Sequence, residues 1–322
     1  MAKPAIQKTQ IPRYQLESFR PLHRENKKEI PAFGYNQIDE SKFIPGFELY
    51  SSVGLKASLG PLKSLFYRIS ITLRGSVDVQ LGLEHFKHRP GTLSFTFPSQ
   101  IFSKSNISKD AFGYYILFST DFLNDIIPSI KIAEVFPFFD FSGTPFFQLS
   151  REEIERVENF VISMNAELQK TLPGREHAIK MYLYLLLLEA KRSYERQQLH
   201  SSSIGNYSLI SRYRKLVSQH FLVKRKVADY AAMLSVTPNH LNRTIKEMTD
   251  TTASGAIAEM LAQEAKALLK YTSATVSEIA YQLDFSDPAS FHRFFKKTCG
   301  ETPLHFRSVH NRVNTMHNKV SE

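Results

Sequence analysis

The chain has 322 residues, enough for two domains that each bury a core of their own. Its 42% hydrophobic and 22% charged residues are typical of folded globular proteins and argue against a largely disordered chain. The longest apolar run, residues 181–190, is shorter than the roughly twenty residues of a membrane span, and residues 1–30 lack a signal peptide's apolar segment. One cysteine, Cys299, excludes an internal disulfide. We expect a cytoplasmic protein with no membrane partner.

The positive charge is concentrated near the C-terminus. The chain carries a net charge of +10, and residues 206–322 contribute 16 Lys and Arg against 10 Asp and Glu, a net +6. Residues 1–205 contribute the remaining +4, over a longer stretch. This distribution is expected if the C-terminal third binds a polyanion, although a basic surface that only aids solubility would look the same.

The first half of the chain is rich in strand patterns. Residues 1–30 are polar and interrupted by prolines, which predicts a flexible arm. Between residues 43 and 119, short runs rich in Phe, Tyr, Ile and Val alternate with Gly and Pro. These runs are FELYSS, SLFYRISITL, VDVQLG, TLSFTF and GYYILFS. Several short strands at this spacing predict a sandwich or a small barrel.

The pattern becomes helical after residue 120. A short helix is predicted in TDFLNDII, residues 120–127, and a longer one from Ser150, where SREE has the spacing of a capping box. A third helix, about 175–197, is apolar over most of its circumference, which indicates burial on more than one side. Its partners are either the barrel and the preceding helix alone or also a second subunit. The polar stretch 199–206 is the predicted linker.

One stretch occurs twice. TPNHLNRTIK, residues 237–246, has a counterpart fifty residues later in DPASFHRFFK, residues 287–296. Each copy starts with a good N-cap, Thr or Asp, and places Pro at the first helical position. A short amphipathic helix precedes each copy, KVADYAAML before the first and TVSEIAYQL before the second. Each unit therefore reads as helix, tight turn, helix.

This arrangement is typical of the helix-turn-helix, whose second helix enters the major groove of DNA. Apolar anchors are predicted at Leu241, Ile245, Phe291 and Phe295. The candidate DNA contacts are Asn239, His240, Asn242, Arg243 and Lys246 in the first copy, and Ala289, Ser290, His292, Arg293 and Lys296 in the second. Arg can bind guanine and Asn adenine, whereas Lys and Ser more often contact phosphate. A single copy is equally consistent with a solvated helix face, but the recurrence of basic residues favours DNA.

The two copies are joined by a predicted helix, residues 254–271, with its apolar residues on one side. Residues 208–307 resemble the DNA-binding domain of AraC/XylS-type bacterial transcription regulators, most specifically in TVSEIAYQLDFSDPASFHRFFKKTCGETPLHFR, residues 275–307. This chain departs from the family pattern in having Asp284 where Gly is usual and Leu261 where Arg is usual. The end of the first motif also lacks Gly and has Thr249 and Asp250 there.

The resemblance implies a multidomain α+β architecture. RPGTLSF, residues 89–95, is similar to the cupin-like β-barrel that many of these regulators place first, followed by a helical pairing segment. The implied divisions are a cupin-like sensing and dimerisation domain at 31–198, an all-α domain with two helix-turn-helix motifs at 207–309, and a tail at 310–322. Such a barrel commonly binds a small effector, and no ligand residues are assigned.

Two rival functions start from the same residues. A cupin-type metal-dependent enzyme would need clustered His and a carboxylate, and the candidates are Glu84, His85 and His88. The two histidines are three apart, whereas strand alternation would place ligands two apart, so we favour a loop with surface histidines and expect no metal and no cofactor. The other rival is an effector-independent basic DNA-binding protein, which would need neither a sensing barrel nor a pair of DNA-recognition helices.

The sequence therefore predicts a sequence-specific transcription regulator and not an enzyme. Its expected partners are double-stranded DNA, a small-molecule effector and a second copy of itself, with RNA polymerase a further candidate. We class it as an activator, although no residue pattern separates activation from repression.

Overall fold

The structure is a computed structural model that describes residues 13–25, 30–140, 143–199, 204–249 and 251–318. These residues form two compact units, one made of Tyr14–Leu59 and Lys63–Ser211 and the other mainly of residues from Arg212 onward. Of the helices in these ranges, none combines the length and the apolar character needed to cross a bilayer.

The first unit contains ten strands in two five-stranded sheets. The strands are β1 Arg13–Tyr14, β2 Phe47–Ser51, β3 Leu59–Ser64, β4 Phe66–Arg74, β5 Val77–Leu81, β6 Glu84–His88, β7 Thr92–Thr96, β8 Ile101–Ser105, β9 Phe112–Ser119 and β10 Phe146–Gln148. One sheet has the order β1-β3-β8-β5-β6 and the other β10-β7-β4-β9-β2. The strand-rich prediction is confirmed, but the hydrogen bonds between these described strands give two sheets and not one closed barrel.

Strands β4 and β7 are buried on both faces. Their register pairs apolar Ile69 with Phe95 on one face and polar Arg68 with Thr96 on the other. The apolar face packs under an aromatic cluster, where the Phe95 and Phe138 rings are 4.0 Å apart. The polar face meets the opposite sheet, because the Arg68 guanidinium lies 3.9 Å from the ring of Phe102 on β8. The space between the sheets is therefore lined partly by polar side chains.

The predicted flexible arm is wrong for part of its length. Residues Leu16–His23 form helix α1, whose residues Leu16, Phe19 and His23 are buried in the first unit. Their spacing of three and four places them on one helical face, so burial of that face holds the segment against the sheets. Residues 1–12 and 26–29 lie outside the described residues.

The short helix predicted at residues 120–127 is also wrong. This segment is a series of turns that buries Phe122 and Leu123 and leads into the four-residue helix α2, Ile132–Val135. Asp121 accepts a hydrogen bond from the Ser119 hydroxyl at 2.5 Å, and Asn124 accepts one from the Ser129 amide at 2.9 Å. Such local side-chain bonds compete with helical hydrogen bonds.

Two long helices complete the first unit. Helix α3, Arg151–Gln169, begins with the predicted capping box of Ser150 and Glu153, and helix α4 spans Arg175–Leu199. They pack against each other, and an ion pair of 2.7 Å joins Arg156 to Glu189. Burial of α4 on several sides is confirmed for its centre, although Met181 and Leu185 remain exposed.

The second unit is entirely helical among its described residues from Arg212 onward. Its helices are α5 Ile204–His220, α6 Val227–Met233, α7 Pro238–Thr249, α8 Ala253–Tyr271, α9 Val276–Gln282, α10 Pro288–Cys299 and α11 Pro303–Asn318. The predicted linker overlaps residues 200–203, which lie outside the described residues, between the end of α4 and the start of α5.

Helix α8 lies at the centre of this unit. The apolar residues predicted on one side, such as Ile257 and Leu268, are buried, but so are Ala262 and Ala267 on other sides. The predicted apolar side is therefore confirmed, and further sides of the helix are buried because α7, α9, α10 and α11 all pack against α8. Its small alanines allow these helices to approach closely from several directions.

Candidate DNA-binding surface

Two helix-turn-helix units are present, one formed by α6 and α7 and the other by α9 and α10. Their turns have the same geometry, because the amide of Val236 donates to the carbonyl of Ala231 at 3.0 Å and that of Phe285 donates to Ala280 at 3.0 Å. In each turn one residue is left-handed, Ser235 with φ 57° and Asp284 with φ 58°. Asp284, which stands where the family usually has Gly, is therefore matched by Ser235 in the first turn. The sequence did not predict a left-handed residue at Ser235.

The two recognition helices, α7 and α10, begin as predicted. The Asp287 carboxylate accepts hydrogen bonds from the amide and the hydroxyl of Ser290, both at 2.7 Å. These bonds from Ser290, with one from Ser286, lower the pKa of Asp287 to about 2. In the first unit the Thr237 hydroxyl accepts from the amide of His240 at 3.2 Å. Both N-caps are therefore confirmed, one charged and one neutral.

The predicted anchors fix how each recognition helix is rotated. Leu241 and Ile245 of α7 and Phe291 and Phe295 of α10 are buried, none more than 2% exposed. The Phe295 ring also contacts Phe306 of α11, with centroids 5.8 Å apart. Because these anchors occupy the inner faces, the candidate DNA contacts are placed on the outer faces.

The candidate contacts differ in exposure. Four side chains of α7 are exposed, Asn239, His240, Arg243 and Lys246, and Asn242 is half-buried. Three side chains of α10 are exposed, Ala289, Arg293 and Lys296, and Ser290 and His292 are half-buried. The two helices thus present comparable outer faces, because the candidate contacts of each include one exposed Arg and one exposed Lys. Their contacts with DNA bases and phosphates stay predictions.

The two arginines have different surroundings. Arg293 donates to the hydroxyl of Ser290 at 3.1 Å, and that hydroxyl in turn donates to Asp287. Since the hydroxyl hydrogen and the amide of Ser290 are both used by the cap, this serine orients Arg293 and has no hydrogen left for a phosphate. Arg243 makes no hydrogen bond or ion pair with another described residue.

Two arginines outside the repeated stretches connect the helices. Arg225, just before α6, donates from Nη2 to the carbonyl of Leu283 in the second turn, and its guanidinium lies 4.7 Å from the Phe285 ring. Arg307 of α11 donates to the carbonyls of Leu269 at 3.1 Å and Ala274 at 2.6 Å. The Arg225 contact joins positions 58 residues apart, and no local pattern in the sequence signals it.

The histidines weighed as metal ligands lie in the first unit. The prediction of a loop with two surface histidines is wrong, because Glu84–His88 is strand β6, paired with β5. His85 is exposed, whereas His88 is buried and its Nδ1 is 2.9 Å from the hydroxyl oxygen of Thr72. Burial lowers the pKa of His88 to about 4. Within the described ranges, no three His, Cys, Asp or Glu side chains are grouped as a metal site would require. The absence of bound metal stays a prediction.

Comparison with known proteins agrees with this geometry. A family model described as a helix-turn-helix domain matches residues 230–308. The transcriptional activator RhaR of Mannheimia succiniciproducens is 24% identical over 162 residues, 50% of this chain and 57% of the relative. The activator RhaS of Escherichia coli is 25% identical over 161 residues, 50% of this chain and 56% of the relative. The chain thus spans a little over half the length of these relatives.

Solved structures give a weaker likeness. ToxT of Vibrio cholerae is 13% identical, covers 81% of this chain and 98% of its own, and has a TM-score of 0.39. An AraC-type DNA-binding domain protein of Chromobacterium violaceum is 22% identical, covers 32% and 93%, and has a TM-score of 0.30. The family match, together with the paired helices, identifies residues 230–308 as a helix-turn-helix domain.

Proposed function

We propose that this protein is a sequence-specific DNA-binding transcription regulator. The observation that supports it best is the matched geometry of α7 and α10, which have buried apolar anchors, capped N-termini and polar, basic outer faces. A helix of this kind can enter the major groove with its N-terminal part. Two such helices packed against the same helix α8 suit two successive segments of the groove.

The proposed base contacts are the exposed amide and guanidinium groups near the helix N-termini. Arg243 and Arg293 suit guanine, and Asn239 suits adenine. Lys246 and Lys296 are proposed to contact phosphate, which fixes position and carries no sequence information. His240, Asn242 and His292 are proposed as further contacts beside them, whereas Ala289 can offer only its methyl group, which suits the methyl of thymine.

The first unit is proposed to sense a small-molecule effector. The relatives RhaR and RhaS are named as transcriptional activators, so activation is the mode proposed here, with RNA polymerase as a further partner. The cupin-like description is carried over as a proposal for the two sheets. Because α1 packs into this unit, the proposed sensing domain begins near residue 14 and not at 31, and the DNA-binding domain remains 207–309. The proposed place of action is the cytoplasm.

The whole chain should select one family of DNA sequences from a random pool. We expect repeated rounds of selection and sequencing to converge on two conserved segments about one helical turn, roughly 10 base pairs, apart. An effector-independent basic protein would instead bind all sequences with an affinity that falls steeply with salt and would select none. A pool that stays random after selection at about 0.15 M salt would refute the proposal.

A further inference from the structure

A cavity lies between the two sheets of the first unit. Its volume is about 280 Å³, just below the range of roughly 300–1,000 Å³ for sites that bind small organic molecules. Its walls come from both sheets, with Arg68 and Thr96 on one side and Phe102 and Lys104 on the other. The polar face of β4 and β7 therefore lines a cavity, where apolar residues would normally fill the interior of two packed sheets.

Two cations from opposite sheets face this cavity. Arg68 of β4 is 5% exposed and Lys104 of β8 is 8% exposed. The Arg68 Nε and the Lys104 Nζ have no hydrogen-bond partner among the described residues. The Arg68 guanidinium instead lies against two rings, 3.9 Å from the centroid of Phe102 and 5.0 Å from that of Phe19.

Buried cations without partners are costly to a folded protein. Removing a charge from water is offset only by an opposite charge or by hydrogen bonds. The described lining residues include one carboxylate, that of Glu25, and the two cations Arg68 and Lys104. Burial, followed by repulsion from Arg68, lowers the pKa of Lys104 to about 7. The cavity thus has an excess of positive groups that the described residues do not neutralise.

Two histidines add further unused polar atoms. The Nε2 atoms of His23 and His88 are buried and have no partner in the described part of the chain. The Nδ1 of His23 is 2.9 Å from the carbonyl oxygen of Phe19, so this nitrogen carries the hydrogen and Nε2 is an acceptor. Burial lowers the pKa of both rings, which are therefore neutral at pH 7. The excess charge comes from Arg68 and Lys104.

We infer that this cavity binds a small organic carboxylate whose charged end lies between Arg68 and Lys104. Its apolar body would pack against the rings of Phe19, Phe102 and Phe112, which also line the space. The guanidinium suits a carboxylate because its donors form a planar fork, and the ammonium can approach as a point charge. The inference rests on the proposed function in one respect: it takes this ligand to be the effector.

Binding should take up protons near neutral pH. Lys104, with its pKa lowered to about 7, is partly unprotonated in the empty cavity, and an anion beside it favours the charged form. Affinity for a carboxylate should therefore increase as the pH falls from 8 to 6. The other titratable or charged groups that face or act on Lys104 are Arg68, Arg24, Glu25, His23, His88 and Tyr115.

The test uses the whole chain and three probes. Calorimetric titration compares 3-phenylpropionate with 3-phenylpropanamide, which has the same apolar body without the charge, and with inorganic phosphate, which has a charge without the body. The variants are Arg68→Met and Lys104→Met. Lys87→Met is the matched control, because Lys87 is an exposed lysine on β6 of the same sheet as Lys104 and does not line the cavity.

We expect 3-phenylpropionate to bind the natural protein and the Lys87→Met variant, and the amide and phosphate to bind at least roughly tenfold more weakly, as loss of a charge-assisted contact implies. Each cavity variant should lose at least roughly tenfold in affinity for the carboxylate. In the absence of ligand, Lys104→Met should raise the melting temperature, because an unpartnered buried amine is removed. A purely structural lysine would give the opposite shift.

The inference is overturned if no probe binds, if Lys104→Met binds the carboxylate as well as the control does, or if this variant melts at a lower temperature. DNA selection on the same preparation separates this inference from the proposed function. A protein that selects DNA but binds no carboxylate refutes the ligand alone. A protein that binds the carboxylate through Lys104 but selects no DNA supports the site and refutes the regulator.

Discussion

Arg243 and Arg293 occupy equivalent positions in α7 and α10, yet only Arg293 is held by a neighbour in its own helix. We expect Arg243→Ala to cost about 1–3 kcal/mol at the selected DNA site and to relax preference at one or two base pairs. The first helix also offers Asn239 and Asn242, where the second has Ala289 and His292. Most discrimination between bases should therefore come from α7.

Quantitative binding to the selected site and to single-base variants measures this effect. Arg293→Ala is the matched comparison, and Lys296→Ala should weaken all sequences alike and reduce the salt slope by about one unit. A larger loss of preference in Arg293→Ala than in Arg243→Ala would contradict the ranking of the two helices.

The left-handed turn residues give a stability prediction. A non-glycine residue in this conformation is strained by about 1–2 kcal/mol, part of which Asp tolerates. Asp284→Gly should therefore raise the free energy of unfolding by about 0.5–1 kcal/mol, and Ser235→Gly should act in the same direction. Urea denaturation of the whole chain measures both.

A substitution at Gly300 is the control, because it should change the free energy of unfolding in the opposite direction. It ends α10 with φ 82°, and a Cβ atom added there would meet no atom within 4 Å. Gly300→Ala should therefore lower the free energy of unfolding through backbone strain alone, by about 1 kcal/mol. If Asp284→Gly and Gly300→Ala shift stability in the same direction, strain does not explain the two turns.

For single residues, the sequence predicts a departure from the family pattern more readily than it predicts a backbone conformation or a tertiary contact. The departure at Asp284 is visible because a family pattern expects Gly there, and its φ of 58° agrees with that expectation. Ser235 has the same conformation, but no pattern marks serine as left-handed. Arg225 was missed since its contact with Leu283 depends on tertiary packing and not on spacing.

Among the elements, the N-terminus of α10 depends on a charged cap. The pKa of Asp287 is lowered to about 2 from its ordinary value of 3.8 by hydrogen bonds from Ser290 and Ser286. A carboxylate with a lowered pKa in the folded state stabilises the fold above pH 4, and this contribution is lost as the pH falls from about 4 to about 2.

Melting temperatures across that pH range, for the natural protein and for Asp287→Asn, isolate the effect. Asparagine also caps a helix but does not titrate. We expect the advantage of the natural protein over the variant to be present at pH 5 and to shrink between pH 4 and pH 2. A difference that stays constant with pH would show that the charge of Asp287 contributes nothing.

Strands illustrate where sequence patterns mislead. Short apolar runs such as TLSFTF and SLFYRISITL predicted strands correctly, but a strand in an antiparallel sheet is ordinarily assigned a buried apolar face and a solvated polar one. In β4 and β7 both faces are buried, because the second sheet covers the polar one. A loop was favoured for strand β6 because His85 and His88 are three residues apart and not two, although His88 is 3% exposed.

For the molecule as a whole, pairing of two chains is the open prediction. Helix α4 exposes Met181 and Leu185, four residues apart on one helical face, and both are 44% exposed. We expect the whole chain to sediment as a dimer at micromolar concentration and Leu185→Lys to shift it toward monomer, since burying a lysine in an apolar contact is costly.

Analytical ultracentrifugation of the natural protein, Leu185→Lys and Leu222→Lys provides the comparison. Leu222 is also exposed but lies outside α3 and α4, so its substitution should leave the sedimentation unchanged. A natural protein that is monomeric with and without DNA would exclude pairing through this helix.

The sequence predicts the second unit in more detail than the first. The repeated stretches and the family pattern alone predicted the second unit, its two recognition helices and its anchors. For the first unit, residue patterns predicted strands and helices but not the pairing of the strands into two sheets. Nor could they predict the cavity, because Arg68 and Lys104 are 36 positions apart and meet only through the packing of those sheets.

The contact of Arg225 with the second turn has a consequence for the operator. Because this side chain joins the segment before α6 to Leu283 and Phe285, we expect the first recognition helix not to rotate independently of the second. Each base pair inserted between the two half-sites rotates one by roughly 35° about the DNA axis relative to the other. We therefore expect operators of this protein to keep a fixed spacer length, and Arg225→Ala to widen the range of spacers that it accepts.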